Sequence, residues 1–221
     1  MPSVPTHVPQ CLLRGIAVPL MKLGFRLEVR GKDHLRQLSG PIILAGNHTG
    51  YLDSLIVLAA VNRPFKFLMS DEVYSWKSVG KFVRCGNIIP IDRTSPRQGL
   101  KRALDALKSG TSLCIFPEGT LTQTGELGRF NPGVAYLQQK TGLPVLPFTI
   151  CGGFEAWAVE TPRPRFEKLI IQFGQPLYPA DGLNADMTLG LLRDRIAHPL
   201  WLRRPIQAGK HTTAPGQHGA R

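Results

Sequence analysis

The chain has 221 residues, enough for one domain with a full core. Apolar residues make up 43% of it and no low-complexity tract interrupts it, which excludes a wholly disordered protein. The formal charge of +12 suits an anionic partner, but no zinc-finger spacing, RNA-recognition aromatic motif or arginine-rich helix accompanies it, so no nucleic acid is expected.

In chain order, the first nine residues lack the charged-then-apolar organisation of a signal peptide. Residues 11–25 carry Leu12, Leu13, Ile16, Leu20, Met21, Leu23 and Phe25, interrupted by Arg14, Pro19 and Lys22. That stretch is too short to cross a bilayer and fits a helix lying in its interface, so residues 1–25 are read as an interfacial helical segment. Apolar runs predict strands over 26–29, 42–45, 66–69, 88–91, 112–116, 145–150 and 169–173. Helical patterns predict helices over 54–61, 76–84, 96–109, 132–141 and 187–201. This alternation specifies a single α/β domain, residues 26–204, with a largely parallel or mixed central sheet flanked by helices and preceded by an amphipathic helix. Residues 205–221, rich in Gly, Pro, Thr and His with Lys210 and Arg221, predict a basic disordered tail. The cysteines Cys11, Cys85, Cys114 and Cys151 are widely spaced with no CxxC, and the apolar strand-like contexts of Cys114 and Cys151 favour buried free thiols there over disulfides or metal ligands.

The chemistry gathers where predicted strands end. The run Asn47-His48-Thr49-Gly50-Tyr51-Leu52-Asp53 follows the second strand. On a continuous helix five residues turn through about 500°, so a contact between His48 and Asp53 requires a turn in the spacer. Gly50 is read as the residue that eases it. His48 can then take a proton from a hydroxyl while Asp53 fixes its tautomer. The plainer reading has Asp53 capping the helix that follows. Gly86-Asn87-Ile88-Ile89-Pro90-Ile91-Asp92-Arg93 delivers an arginine suited to phosphate, or one paired locally with Asp92. Phe116-Pro117-Glu118-Gly119-Thr120 ends the fifth strand. Gly119 allows close approach, Thr120 offers a hydroxyl, and Glu118 could bond ligand hydroxyls or hold a cation such as Arg93. Arg129 stands just before a helix start, where anions are favoured. The strand around Val145-Leu146-Pro147 could line a cleft for a hydrocarbon chain or form core.

Taken in order, Asn47 to Asp53, Gly86 to Arg93, Phe116 to Thr120 and Val145 to Pro147 resemble the signature blocks of the glycerolipid acyltransferase family. That family is typified by 1-acylglycerol-3-phosphate acyltransferases. The resemblance implies transfer of an acyl group from acyl-CoA or acyl carrier protein, as co-substrate, to the free hydroxyl of a lysophospholipid, with no cofactor and no metal. It assigns His48 as general base and Asp53 as its partner, with Asn47, Arg93, Glu118, Gly119, Thr120 and Arg129 at the substrate. It also implies a peripheral or monotopic protein on the cytoplasmic face of a membrane. Family members often carry a basic residue after the Glu-Gly-Thr and a lysine before the next helix, whereas this chain has Leu121 and Asn131. The acceptor implied is thus 1-acyl-sn-glycerol-3-phosphate, or another lysophospholipid such as lysophosphatidylethanolamine. A catalytically silent membrane-surface protein is the alternative of a different class.

Overall fold

The computed structural model describes residues 10–70, 88–92, 94–180 and 183–201. The predicted helix over 76–84, Arg93 and the tail lie outside them. The first described element is α1 (Gln10–Pro19), which runs on as a π-helical turn over Leu20–Gly24. Then come β1 (Glu28–Arg30), α2 (Lys32–Arg36), β2 (Ile43–Gly46), α3 (Asp53–Ala60), β3 (Phe65–Ser70) and β4 (Ile88–Ile91). They are followed by α4 (Arg97–Lys108), β5 (Ser112–Ile115), α5 (Gly133–Thr141), β6 (Val145–Cys151), α6 (Gly153–Trp157), β7 (Ile170–Phe173) and α7 (Ala185–Trp201).

Among the described residues seven strands form one sheet in the order β1-β7-β6-β2-β5-β3-β4. β6, β2, β5, β3 and β4 run parallel, β7 pairs antiparallel with β6, and β1 pairs parallel with β7. The mixed sheet expected from the alternation is therefore present. The central strands β2, β5 and β6 are buried along their whole length. Parallel strands covered on both faces need continuous apolar runs, which Ile43-Leu44-Ala45 and Val145-Leu146 supply. Phe148 is fully buried and its ring fills the place a side chain at Gly46 would take, so the proline-bracketed segment packs as core.

Two apolar layers sandwich the sheet. One gathers Ala17, Met21 and Phe25 with Ile56 and Val57 of α3. The other joins Ala103 and Leu107 of α4, Val134 and Leu137 of α5, and Leu192 and Ile196 of α7. The helices that follow the adjacent strands β2 and β5 thus lie on opposite faces. Their diverging connections open a crevice beyond the carboxyl ends of those strands, the usual place for a ligand in an open α/β sheet.

The N-terminal helix has two faces. Ala17 and Met21 are buried, whereas Leu12, Ile16, Leu20 and Leu23 are 60%, 66%, 45% and 82% exposed. Arg14 points inward, its guanidinium donating to the carbonyls of Leu58, at 2.7 Å, and Val61. It thereby serves carbonyls at the end of α3, which a helix C-terminus leaves unpaired. Cys114 and Cys151 are buried and Cys11 is exposed, and none of the three is in a disulfide. Among the described residues no helix is long and apolar enough to cross a membrane.

Candidate active site

His48 leaves the carboxyl end of β2 in a loop, and α3 begins at Asp53. The loop folds back so that His48 Nδ1 lies 2.8 Å from Asp53 Oδ2. The same oxygen accepts the amides of Thr49 and Gly50, the latter at 3.0 Å, and Oδ1 accepts the Thr49 hydroxyl at 2.9 Å. Asp53 is fully buried and makes no side-chain cap to α3. Its carboxylate grips the loop before it, which displaces the plainer capping reading. An Nδ1–H donated to Asp53 leaves Nε2 with its lone pair, the form that can accept a proton. The His48 side chain keeps 23% of its surface exposed.

Beyond Asp53, the histidine is supported through its ring and through its backbone. Its ring stacks on Phe116, with centroids 4.1 Å apart and planes 11° apart. Phe116 in turn meets Phe148 edge-on at 5.9 Å. The His48 amide donates to Glu118 Oε1 at 2.8 Å, and Glu118 Oε2 accepts the Gly128 amide at 2.7 Å. Burial raises the Glu118 pKa, opposed by those two amides. Among the described residues Glu118 accepts two backbone amides, which sets its carboxylate beneath the histidine backbone, and Arg93, the cation expected beside it, lies outside them.

Asn47 differs from expectation. Its amide donates to the Ile150 carbonyl at 2.9 Å and accepts the Ile150 N–H at 2.7 Å, and it is 2% exposed. It stitches β2 to β6 beyond their ladder and presents almost no surface to a ligand. Gly119 and Thr120 are exposed in the turn after β5. Gly119 adopts φ +69°, where the Asn131 side chain would crowd a Cβ at 2.8 Å. Asn131 braces this turn by donating its side-chain amide to the Glu118 carbonyl at 3.2 Å and its own N–H to Pro117 at 2.8 Å. Arg129 is exposed in a hollow of about 430 Å³ with Phe130 and Arg193. A wider hollow of about 820 Å³ reaches Thr49, Ile150, Phe154, Lys168 and Arg193. Asp92 accepts the Thr94 N–H and hydroxyl, each at 2.7 Å, and these bonds lower its pKa.

Sequence reasoning missed α6. Gly153 packs so tightly that a Cβ there would sit 2.2 Å from Thr49 Oγ1 and 3.0 Å from Asp53 Oδ1. At Gly50 a Cβ would meet the Trp157 carbonyl at 2.4 Å. Gly50 therefore serves close approach by α6 and needs no left-handed backbone, which corrects the reason first given for it. The Gly152-Gly153 pair after an apolar strand was the available signal for such an approach.

Among the described residues no three His, Cys, Asp or Glu side chains gather as a metal site. The fold and site define an α/β protein that holds a paired histidine and aspartate just beyond the carboxyl end of a central strand. The Acyltransferase family model matches residues 26–151, and the chain belongs to that family. It is 30% identical over 131 residues to the chloroplast 1-acyl-sn-glycerol-3-phosphate acyltransferase BAT2 of Brassica napus, covering 58% of this chain and 38% of that protein. It is 26% identical over 162 residues to the 1-acyl-sn-glycerol-3-phosphate acyltransferase of Limnanthes alba, 72% of this chain and 57% of the relative. The chain thus matches little more than a third to a half of these relatives' length. The crystal structure of the 1-acyl-sn-glycerophosphate acyltransferase PlsC from Thermotoga maritima shares the fold. Its TM-score is 0.76 at 20% identity, over 87% of this chain and 78% of that one.

Proposed function

We propose that this protein transfers a fatty acyl group from a thioester, on coenzyme A or acyl carrier protein, to the free hydroxyl of 1-acyl-sn-glycerol-3-phosphate, giving phosphatidic acid. The observation that carries this reading is the His48–Asp53 contact of 2.8 Å, held at the open end of the central strands with Nε2 facing away from the carboxylate. The relatives' named activity supports the choice of acceptor.

His48 Nε2 removes the acceptor hydroxyl proton as the oxygen attacks the thioester carbonyl. The carbon–sulfur bond then breaks, and the imidazolium returns the proton to the departing thiolate. Acyl ester and free thiol are the products, so atoms and charge balance without a cofactor. Asp53 stabilises the imidazolium that forms between the two steps. A thioester is already activated, so a positioned base and a held acceptor supply the catalysis. Arg93 and Arg129 are the cations proposed for the acceptor phosphate, beside Gly119 and Thr120. The exposed row Leu12, Ile16, Leu20 and Leu23, with Phe166 at 70% exposure, is proposed to lie in the headgroup region and admit the lipid acceptor. On this reading the protein is peripheral or monotopic, on the cytoplasmic face of its membrane.

A second acceptor has its own support. Asn131, where family members often carry lysine, spends its amide on the Glu118 turn, leaving the phosphate region less cationic. Lysophosphatidylethanolamine is the acceptor this favours.

The test supplies purified protein with acyl-thioesters of both carriers and a panel of lysophospholipids, reading free thiol and diacyl product. Product with one headgroup, absent in His48→Ala, is the expected result. Thiol release without acylated lipid would replace this reading by thioester hydrolysis. No turnover with either donor would favour a silent membrane-surface protein.

A further inference from the structure

The matched family region ends at residue 151, yet a residue of α7 reaches the histidine's supports. Arg193 Nη2 donates to the Leu127 carbonyl at 3.0 Å, and Nη1 donates to the Gly128 carbonyl. Its guanidinium also lies 5.8 Å from the Phe130 ring centre. The peptide joining Leu127 to Gly128 therefore has a cation on its oxygen, while its N–H donates to Glu118 Oε2 at 2.7 Å. The other Glu118 oxygen accepts the His48 amide at 2.8 Å. Hydrogen bonds in such a chain polarise one another, so a cation on the carbonyl strengthens the N–H as a donor. A Cβ at Gly128 would sit 2.9 Å from Glu118 Oε2, so the peptide meets the carboxylate at close range.

We propose that Arg193 is a positioning residue for acyl transfer, setting the His48 backbone through the Leu127–Gly128 peptide and Glu118. The inference rests on His48 being the base. Docking of α7 does not depend on Arg193, because other anchors hold that helix. Leu192 and Ile196 are fully buried, and the Thr149 hydroxyl donates to the Ile196 carbonyl at 2.8 Å. Arg195 binds the carbonyls of Gln175 and Pro176, each at 2.8 Å. It repeats the two-carbonyl grip of Arg193 away from the histidine and so provides an internal control.

The experiment compares wild type, Arg193→Ala, Arg193→Lys and Arg195→Ala in full chains, with His48→Ala as the inactive reference. Arg193→Ala should lower kcat about 10-fold or more while KM for the lysophospholipid stays within about 3-fold, the signature of a group that acts on chemistry and not on acceptor binding. Arg193→Lys, able to reach one carbonyl, should recover part of the rate. In amide NMR spectra the Gly128 and His48 signals should move in Arg193→Ala and stay in place in Arg195→Ala. A raised KM with unchanged kcat would make Arg193 a substrate-binding cation and overturn the proposal. Equal losses in Arg193→Ala and Arg195→Ala would reduce its role to helix docking, also overturning it. A wild type inactive with every donor and acceptor would sink the functional reading instead. The amide signals then decide the relay alone, and unmoved Gly128 and His48 signals would refute it.

Discussion

Four donors converge on the Asp53 carboxylate: the His48 ring, the Thr49 and Gly50 amides and the Thr49 hydroxyl. Asparagine there can keep its oxygen toward the ring and amides, with its NH₂ donating to the Thr49 hydroxyl. Asp53→Asn should therefore stay within about 1 kcal/mol of wild-type stability while losing about 100-fold or more in kcat/KM, because the imidazolium loses its countercharge. Asp53→Ala leaves two loop amides unpaired and should also destabilise by about 3 kcal/mol. Denaturant melts set beside rate measurements separate the two outcomes, and equal destabilisation in both variants would contradict the charge argument. Glu118 adds a pH dependence. Burial raises its folded pKa above the usual 4.5, so the native state holds its proton more tightly than the unfolded chain. The stability linked to that proton is full below pH 4.5 and is lost as pH rises through the raised value. Wild type should lose stability relative to Glu118→Gln across that rise, as denaturant melts at several pH values would show.

At the scale of elements, the site is a loop clamped between α3 and α6. The gap left at Gly153 lets α6 touch Thr49 and Asp53, so Gly153→Ala forces a Cβ into that contact. We expect a loss of about 1–3 kcal/mol, as overpacking costs elsewhere, with kcat reduced because Asp53 shifts against His48. Wild-type kcat in a folded Gly153→Ala protein would show that α6 does not set the pair. The position of His48 and Asp53 was legible from an apolar run followed by a short spacer. The roles of Gly50 and Asn47 were not, since Gly50 answers to Trp157 and Asn47 to Ile150, each about 100 positions away. Arg193 carried no signal at all: a basic residue on a helix resembles any solvated surface cation until the loop it grips is in place.

Across the whole molecule, the sheet separates two surfaces. The apolar row of α1 belongs to one layer, and α4, with Arg97, Lys101, Arg102 and Lys108 exposed, covers the other. If the first surface meets lipid, the basic helix turns toward water. Replacing Leu12, Ile16, Leu20 and Leu23 together by serine should weaken vesicle binding about 10-fold or more with little change in melting, since all four side chains already face solvent. Flotation with anionic vesicles measures the first and thermal melting the second; retained flotation would place the lipid contact elsewhere.

Periodicity and strand-end chemistry in the sequence determined the seven strands, most of the helices and the His48–Asp53 pair, because those signals are carried by neighbours along the chain. Only the tertiary structure decided that β7 reverses, that α6 presses on the loop from His48 to Asp53, and that Glu118 and Asn47 serve the backbone. Each of those depends on atoms from distant segments meeting within bonding range, and such distances are fixed by packing of the two layers on the sheet, which no local pattern encodes.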